Sequence, residues 1–161
     1  TGYRRQRQMC IRDRFNIKQL KSQGGEIIEK KVKNVGMIAG GTGITPMIQI
    51  IRAVLRNEND PTKLSLLFAN KEERDIILRD KLENPDRDFS DRFEVHYTLD
   101  KAEDGWSGFT GFIDEEMIRN TMPEPSDDTL ILLCGPPKMN SEAVKPALES
   151  IGYSPDSIFN F

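Results

Sequence analysis

One stretch of this sequence decides its fold: Val35-Gly36-Met37-Ile38-Ala39-Gly40-Gly41-Thr42-Gly43-Ile44-Thr45-Pro46-Met47. The apolar, β-branched-rich run at 32–39 is typical of a strand buried on both faces. A glycine-rich turn follows, and Pro46 suits the first position of a helix. Apolar residues then repeat at helical spacing, at Met47, Ile50, Ile51, Val54 and Leu55, before a polar run at 57–61. The stretch predicts a strand, a tight turn and an amphipathic helix.

Strands and helices alternate along the rest of the chain. Strands are predicted at 64–70, 93–99, 129–133 and 157–161, with a short one at 15–18 and a turn at 23–26. Helices are predicted at 75–82, 114–119 and 138–148, and Pro146 is expected to kink or shorten the last of them. This alternation implies right-handed crossovers. We therefore predict an α/β fold, with an open parallel sheet of about five strands and helices on both faces.

The composition excludes several classes of protein. The 161 residues are 37% hydrophobic and 30% charged, which is normal for one globular domain. No run of about 18 apolar residues occurs, so no membrane span is predicted. Cys10 and Cys134 form no CxxC pair, and His96 is the single histidine. A zinc site, a disulfide framework and a Ser-His-Asp triad are therefore not supported, and we expect no metal site.

The basic start of the chain contrasts with an acidic remainder. Five arginines and one aspartate give residues 1–14 a charge of +4, which leaves −7 on the rest of a chain of net charge −3. A nucleic-acid or anionic-membrane tether is one explanation. The run from Arg4 to Arg14 has no periodicity and no interleaved aromatic residues, so we favour a non-native leader translated from adapter or vector sequence. On this interpretation no nucleic-acid partner is expected.

Two turns carry the chemistry. The first is G-x-G-x-x-P from Gly41 to Pro46, whose small residues let backbone N–H groups approach a pyrophosphate at a helix N-terminus. The second is Cys134-Gly135-Pro136-Pro137-x-Met139, a stiff turn after a buried strand. Both turns follow strands of the predicted sheet, and ligands of such sheets bind beyond the carboxyl ends of the strands. A structural turn is the alternative explanation for each motif taken alone.

Together the two turns resemble those of the ferredoxin–NADP reductase superfamily, and more narrowly the NADH-binding domain of NADH–cytochrome b5 reductases. The resemblance runs over 32–161 and includes 35–39, 67–70, 75–79, 97–100, 111–112, 115–119 and the terminal Phe161. It implies the ferredoxin reductase-like C-terminal NAD-binding fold, a remnant of the last strand and linker of an FAD domain at 15–31, and a fragment that lacks most of that FAD domain. The Arg-x-Tyr-(Ser/Thr) flavin signature of the family is absent from the sequence.

The resemblance also implies residue roles. Thr42 and Cys134 would act at the catalytic centre, Thr42 and Thr45 on the flavin side and Cys134 beside the nicotinamide. Asp100 would bond a ribose hydroxyl and disfavour a 2′-phosphate, so NADH is expected over NADPH, and Phe112 would pack on the adenine side. The full set of cofactor-binding residues would be Gly40, Gly41, Thr42, Gly43, Ile44, Thr45, Pro46, Met47, Asp100, Phe112, Cys134, Gly135, Pro136, Pro137 and Met139.

By the same resemblance we expect hydride transfer from NADH to FAD, with electrons passed on to a haem protein such as cytochrome b5. The alternatives are the corresponding part of an assimilatory nitrate reductase and a non-catalytic module that keeps only the nucleotide-binding fold. A cytoplasmic monomer is expected, with the full-length protein anchored on the endoplasmic reticulum or the mitochondrial outer membrane through a segment outside this sequence. His96 is interpreted as a sheet residue and Trp106 as a loop anchor.

Overall fold

The computed structural model of the chain describes residues 11–12, 14–20, 27–83 and 91–161. Its main sheet has six strands: β4 (Asn34–Gly40), β5 (Lys63–Asn70), β6 (Phe93–Leu99), β7 (Phe109–Thr110), β8 (Thr129–Cys134) and β9 (Ile158–Asn160). The helices are α1 (Ile44–Arg56), α2 (Arg79–Glu83), α3 (Glu115–Thr121) and α4 (Lys145–Ile151).

The strand order places the first strand of the main sheet in its interior. The order is β7-β6-β5-β4-β8-β9, and every neighbouring pair is parallel. The chain therefore builds outward from β4 in one direction and then crosses to the other side with β8. The boundary between β4 and β8 is the point at which an open parallel sheet offers a crevice to a ligand. The predicted parallel α/β fold is confirmed.

Two apolar cores cover the two faces of this sheet. Helix α1 contributes Ile44, Met47, Ile51 and Val54 to the larger core, where they pack with strand residues such as Phe68. The other core receives side chains from α3 and α4, among them Met117, Ile118, Ala147 and Leu148. The prediction of helices on both faces is confirmed. Within the described part of the chain, no helix combines the length and apolarity that a membrane crossing needs.

A second, three-stranded antiparallel sheet precedes the main one. It consists of β1 (Ile11–Arg12), β2 (Arg14–Leu20) and β3 (Ile27–Lys31) in that order. The predicted strand at 15–18 lies within β2, whereas β3 was not predicted. The predicted turn at 23–26 lies outside the described residues. Strand β1 lies in the basic leader, of which 1–10 and Asp13 are also outside the described residues.

Three details of the helices differ from the sequence prediction. A 3₁₀ turn at Gly41–Gly43 leads into α1, so Pro46 is the third helical residue and not the first. Proline is tolerated at this third position because the first four N–H groups of a helix lack intrahelical acceptors, so its missing N–H costs no hydrogen bond. The helix predicted at 75–82 is only Arg79–Glu83, since Leu78 takes a left-handed φ of 59°.

The third difference concerns Pro146. The chain forms a π-helical turn at Met139–Val144 and continues as α4, so Pro146 lies near the start of an α-helical segment. Proline cannot donate to the carbonyl four residues earlier and its ring crowds that carbonyl. The wider π turn, in which the Lys145 N–H donates to Asn140 O, relieves both problems. The helix thus accommodates Pro146 by a change from π-helical to α-helical geometry and continues to Ile151.

Candidate functional site

The two glycine-containing turns meet at the boundary between β4 and β8. Ala39 and Cys134 are partners in the parallel register of these strands, so both turns leave the same edge side by side. A Cβ added to Gly43 would lie 2.6 Å from the carbonyl carbon of Cys134 and 3.0 Å from Gly135 N. Because the neighbouring atoms are backbone, only glycine permits this approach. Residues about 90 positions apart therefore form one site.

The first turn presents backbone to solvent. Gly41 has a φ of +54°, and a Cβ there would meet nothing within 4 Å. Thr42 and Thr45 are exposed, and the Thr45 hydroxyl donates to Thr42 O at 3.1 Å. Glycine at 41 thus allows a conformation that L side chains rarely adopt and leaves room for an anionic group beside the helix start.

Two residues predicted at this turn have their side chains in the core. Ile44 and Met47 are both fully buried and pack with Val54 and Phe68. Any contact of theirs with a ligand would be made by backbone atoms. Pro46, which lies between them in sequence, is half-buried.

The second turn supports the first. Met139 lies against both glycines, since a Cβ on Gly40 would be 2.9 Å from its sulfur and one on Gly135 would be 2.5 Å from its methyl carbon. Pro136 and Pro137 are exposed, and their carbonyls accept from Asn140 N and Ser141 Oγ. These hydrogen bonds fix the backbone of the two prolines, which form a rigid wall beside the junction of the turns.

Cys134 is half-buried at the end of β8 and packs against the larger core. Its burial raises the pKa of the thiol above the ordinary value of 9.0. Burial has this effect because the thiolate is the form that loses hydration. At neutral pH the side chain is a neutral, polarisable thiol and not a thiolate nucleophile.

Asp100 occupies a different part of the same sheet edge. It follows β6, is exposed, and donates its N–H to Asn70 O at 3.1 Å. A pocket of about 340 Å³ opens beside it, lined by Lys71, Glu72, Arg74, Asp75, Asp100 and Lys101. Arg74 is held by Glu72 at 2.6 Å. Asp100 thus lines a pocket whose side chains carry both signs of charge.

Phe112 stands next to this region and is 81% exposed. Gly111, at a φ of +88°, donates its N–H to Leu99 O at 2.8 Å, and Thr98 Oγ1 donates to Gly111 O at 2.7 Å. These bonds hold the residue before Phe112 against the last residues of β6. An aromatic ring left in solvent on a fixed backbone suits stacking against a planar ligand.

The sequence analysis missed two buried asparagines at the same edge. Asn70 follows Ala69, the register partner of Gly40, and its Nδ2 has no hydrogen-bond partner within the described part of the chain. Asn140 donates to Asn160 Oδ1 at 3.2 Å, while its own Oδ1 has no described partner. For Asn70 the available signal was an amide side chain at the end of an apolar strand, whereas Asn140 had no such signal. An unpartnered donor beside the glycine turn suits a ligand that carries oxygen acceptors.

Two other residues lie as expected. His96 is a half-buried residue of β6, 3.7 Å from Glu94. Trp106 donates its Nε1 to Phe109 O at 2.9 Å and packs edge-on against Tyr97, so it anchors the loop before β7. Neither belongs to a cluster with the geometry of a metal centre among the residues that the structure describes.

Comparison with known proteins agrees with this geometry. The sequence model of the oxidoreductase NAD-binding domain matches residues 37–145, which include both turns and the Asp100 pocket. The chain belongs to this family. As an NAD-binding domain it is 53% identical over 134 residues to NADH-cytochrome b5 reductase 3 of Rattus norvegicus, a match that covers 83% of this chain and 44% of the relative. The predicted resemblance is confirmed.

Two further comparisons extend the match. The NAD-binding domain is 47% identical over 148 residues to NADH-cytochrome b5 reductase 1 of Bos taurus, covering 92% of this chain and 48% of that protein. The crystal structure of the cytochrome b5 reductase domain of Ulva prolifera nitrate reductase superposes with a TM-score of 0.80 at 41% identity, covering 83% of this chain and 50% of the other. The chain thus spans about half the length of the curated relatives that it matches.

Proposed function

We propose that this domain binds NADH across the carboxyl edge of its sheet and presents the nicotinamide to a flavin. The observation that supports the proposal is the junction of Gly43 with Cys134 and Gly135 at the switch between β4 and β8. At that junction the glycine turn, which has room for a phosphate, lies against the Pro136–Pro137 turn and the neutral thiol of Cys134. The relatives named NADH-cytochrome b5 reductases supply the cofactor and the type of reaction.

The proposed path of the dinucleotide follows the edge of the sheet. The pyrophosphate would lie over the backbone at Gly41, where the space for a Cβ is open, on the side of the Asn70 amide. The nicotinamide would lie against Cys134 and the proline pair. At the other end, Asp100 would accept a hydrogen bond from a ribose hydroxyl and Phe112 would stack on the adenine. Gly40 and Met139 act as supports for these contacts.

NADH, when bound, supplies the hydride, and FAD held mainly by a second domain receives it. The residues of this chain bind and orient. Thr42 and Thr45 lie on the exposed side of the turn, where their hydroxyls can bond the flavin or its neighbour. Cys134 packs beside the reacting ring without taking a proton, since burial keeps its thiol protonated. Hydride transfer needs the nicotinamide C4 within about 3–3.5 Å of the flavin acceptor atom, and such positioning is the task of this wall.

For the whole protein we propose a monomeric reductase that passes electrons from FAD to a haem protein such as cytochrome b5. A cytoplasmic location is proposed, with attachment to a membrane only through an anchor outside this sequence. The similarity to the reductase domain of a nitrate reductase keeps a second candidate, in which the same module serves a larger enzyme. The gene sequence upstream of the codon for Phe15 would distinguish them, because only the larger enzyme would carry a molybdenum domain and a haem domain there.

The test of the proposal is hydride transfer. The domain, joined to the flavin domain of a matched reductase, is expected to reduce FAD with NADH in a stopped-flow experiment. Cys134→Ser should lower the limiting rate about tenfold or more while NAD⁺ affinity changes little, because the ring loses its packing surface. In the parent the rate should not depend on the ionisation of Cys134 below about pH 9. An unchanged rate in Cys134→Ser would show that the cysteine only fills space, and absence of flavin reduction in the parent would refute the proposal.

Nucleotide selectivity gives an independent test. Asp100→Thr should raise NADPH affinity about tenfold, because a repulsive carboxylate is lost while Lys71 and Lys101 remain in the pocket to attract a phosphate. The control is Asp104→Thr, which removes an exposed carboxylate outside the pocket lining and should leave the NADH/NADPH ratio unchanged. Equal ratios in the two variants would remove Asp100 from the cofactor site.

A further inference from the structure

Arg79 stands at the centre of a cluster that the proposed reaction does not use directly. Its guanidinium carbon lies 5.8 Å from the ring centre of Tyr97 and 5.9 Å from that of Trp106. One of its terminal nitrogens lies 2.6 Å from Glu73 Oε1. The two rings meet edge-on at 6.3 Å, so the cation sits in the corner between them. We call Arg79, Glu73, Tyr97 and Trp106 the arginine clamp.

The clamp joins the two walls of the pocket beside Asp100. One wall is the turn at 71–75, to which Glu73 belongs. The other wall, Asp100 and Lys101, continues directly from β6, to which Tyr97 belongs. Backbone bonds already link the walls at the sheet edge, where Lys101 N donates to Lys71 O at 2.8 Å. The clamp adds a side-chain link between the same two segments.

The local backbone is shaped so that Arg79 can make this link. Leu78, the preceding residue, has a φ of 59°, an uncommon conformation for a leucine that the surrounding contacts must hold in place. Its side chain packs against the larger core, and its carbonyl accepts from Leu82 N at 3.2 Å. The reversal at Leu78 ends the extended path after the 71–75 turn and starts α2. Arg79 is therefore the first residue of α2, and the left-handed conformation of Leu78 directs it.

The Trp106 side of the clamp is also anchored. Its indole N–H donates to Phe109 O at 2.9 Å, which ties the 101–108 loop to β7. Tyr97 in turn packs on Phe68 of the larger core at 6.4 Å. The cation therefore bridges from the 71–75 turn to two rings that are themselves attached to the sheet.

We propose that Arg79 is a positioning residue for the adenosine half of the dinucleotide: it holds the 71–75 wall at a set distance from Asp100 without touching the nucleotide. Arg79 is not among the residues that line the pocket, so it acts through Glu73 and the rings. The inference rests on the proposed function, since it assigns the pocket to the adenosine half of NADH. It predicts that loss of the clamp weakens adenosine binding and spares hydride transfer.

The experiment measures ADP-ribose binding to the full chain by calorimetry. Arg79→Met keeps the aliphatic stem and removes the cation, and it should raise the Kd for ADP-ribose by up to about five- to tenfold, the limit reached if the whole cation–π contact serves to hold the wall in its binding position. Arg79→Lys keeps the charge but lacks the planar fork, so it should recover the affinity only in part. In the domain joined to a flavin domain, Arg79→Met should raise the KM for NADH and leave kcat unchanged.

The chain contains a closely matched control. Arg119 and Glu115 on α3 form an ion pair with the same 2.6 Å distance, and their side chains are 53% and 42% exposed, against 36% and 40% for Arg79 and Glu73. Arg119→Met removes this pair on the far side of the sheet and should leave ADP-ribose binding at the parent value. Equal weakening by Arg79→Met and Arg119→Met would overturn the inference, because the effect would then be general destabilisation.

Trp106 supplies a second readout, since it is the single tryptophan of the chain. Its emission should shift in Arg79→Met and not in Arg119→Met. If Arg79→Met fails to fold, Glu73→Gln carries the test, because it changes a partly exposed side chain and leaves the cation on the rings; it should weaken ADP-ribose binding at least twofold. Parent-like binding by Glu73→Gln in that case, or by Arg79→Met when it folds, refutes the inference. A parent chain that binds neither ADP-ribose nor NADH refutes the proposed function instead.

Discussion

At the scale of single residues, the site depends on two glycines that serve different physical needs. Gly43 is required by space, because a Cβ would overlap the backbone of Cys134. Gly41 is required by conformation, because its φ is +54° while the space around it is open. A backbone overlap cannot be relieved by a change of rotamer, whereas a left-handed residue stores only local strain.

The two glycines therefore predict different losses of stability. Gly43→Ala should lower the free energy of unfolding by about 3 kcal/mol, the upper part of the range for overpacking, and should also abolish NADH binding by separating the turns. Gly41→Ala should cost about 1 kcal/mol, the strain of one left-handed residue. Urea unfolding followed by circular dichroism measures both. A loss for Gly43→Ala no larger than that for Gly41→Ala would mean that the turns are not in contact.

At the scale of elements, the strands show what the sequence can and cannot predict. β4, β5, β6 and β8 were predictable because each is an apolar or alternating run bounded by turn residues. β7 contains two residues, Phe109 and Thr110, and so few positions carry no periodic signal. The sequence predicted that the turns of Gly43 and Cys134 lie on the same edge of the sheet, because both follow the carboxyl ends of strands. It did not predict that they touch, because contact depends on the strand order, which makes β4 and β8 neighbours.

The helices were harder to predict because their limits depend on single residues. Leu78 adopts a left-handed conformation that nothing in the apolar pattern indicates, and it shortens α2. Pro146 was expected to disturb its helix, and the π turn at Met139–Val144 is the form that the disturbance takes. The Asp100 pocket is formed by residues that follow two different strands, β5 and β6. Its lining could therefore not be predicted from the spacing of residues along the sequence.

Helix α3 gives a prediction at this scale, since it has only seven residues and begins at a side-chain cap. Asp114 Oδ1 accepts from Met117 N at 2.8 Å. Asp114→Ala should lower the free energy of unfolding by about 1 kcal/mol, because one N–H of the first turn loses its acceptor. Asp114→Asn should be nearly neutral, and Asp104→Ala in an exposed loop is the control for loss of charge. Equal urea midpoints for Asp114→Ala and Asp104→Ala would contradict the capping role.

At the scale of the whole molecule, the sheet separates a stable body from the edge at which we propose that the nucleotide binds. Both cores lie on its faces, and the residues of the site lie at the ends of its strands, where backbone groups are free to meet a ligand. Stability and binding can therefore be altered separately. Side-chain changes behind the sheet should act on unfolding and spare the nucleotide, whereas backbone changes at the edge, such as those at Gly41 and Gly43, act on unfolding as well.

Tyr153 tests this separation through pH. It is buried behind the sheet, its hydroxyl donates to Pro123 O, and burial, together with the nearby Glu124 carboxylate, raises its pKa to about 12 from the ordinary 10.0. A raised pKa in the folded state means that this contribution to stability is complete below about pH 10 and declines as pH rises toward about 12, because the unfolded chain ionises first. The free energy of unfolding should fall by about 1.4 kcal/mol per pH unit in that window.

Tyr153→Phe should be less stable at pH 9, since the hydrogen bond is lost, yet show a shallower decline from pH 10 to 12 in urea titrations. Because Tyr153 is remote from the edge, ADP-ribose affinity at neutral pH should match that of the parent; a parallel loss of affinity would show that the two faces of the sheet and its edge are coupled.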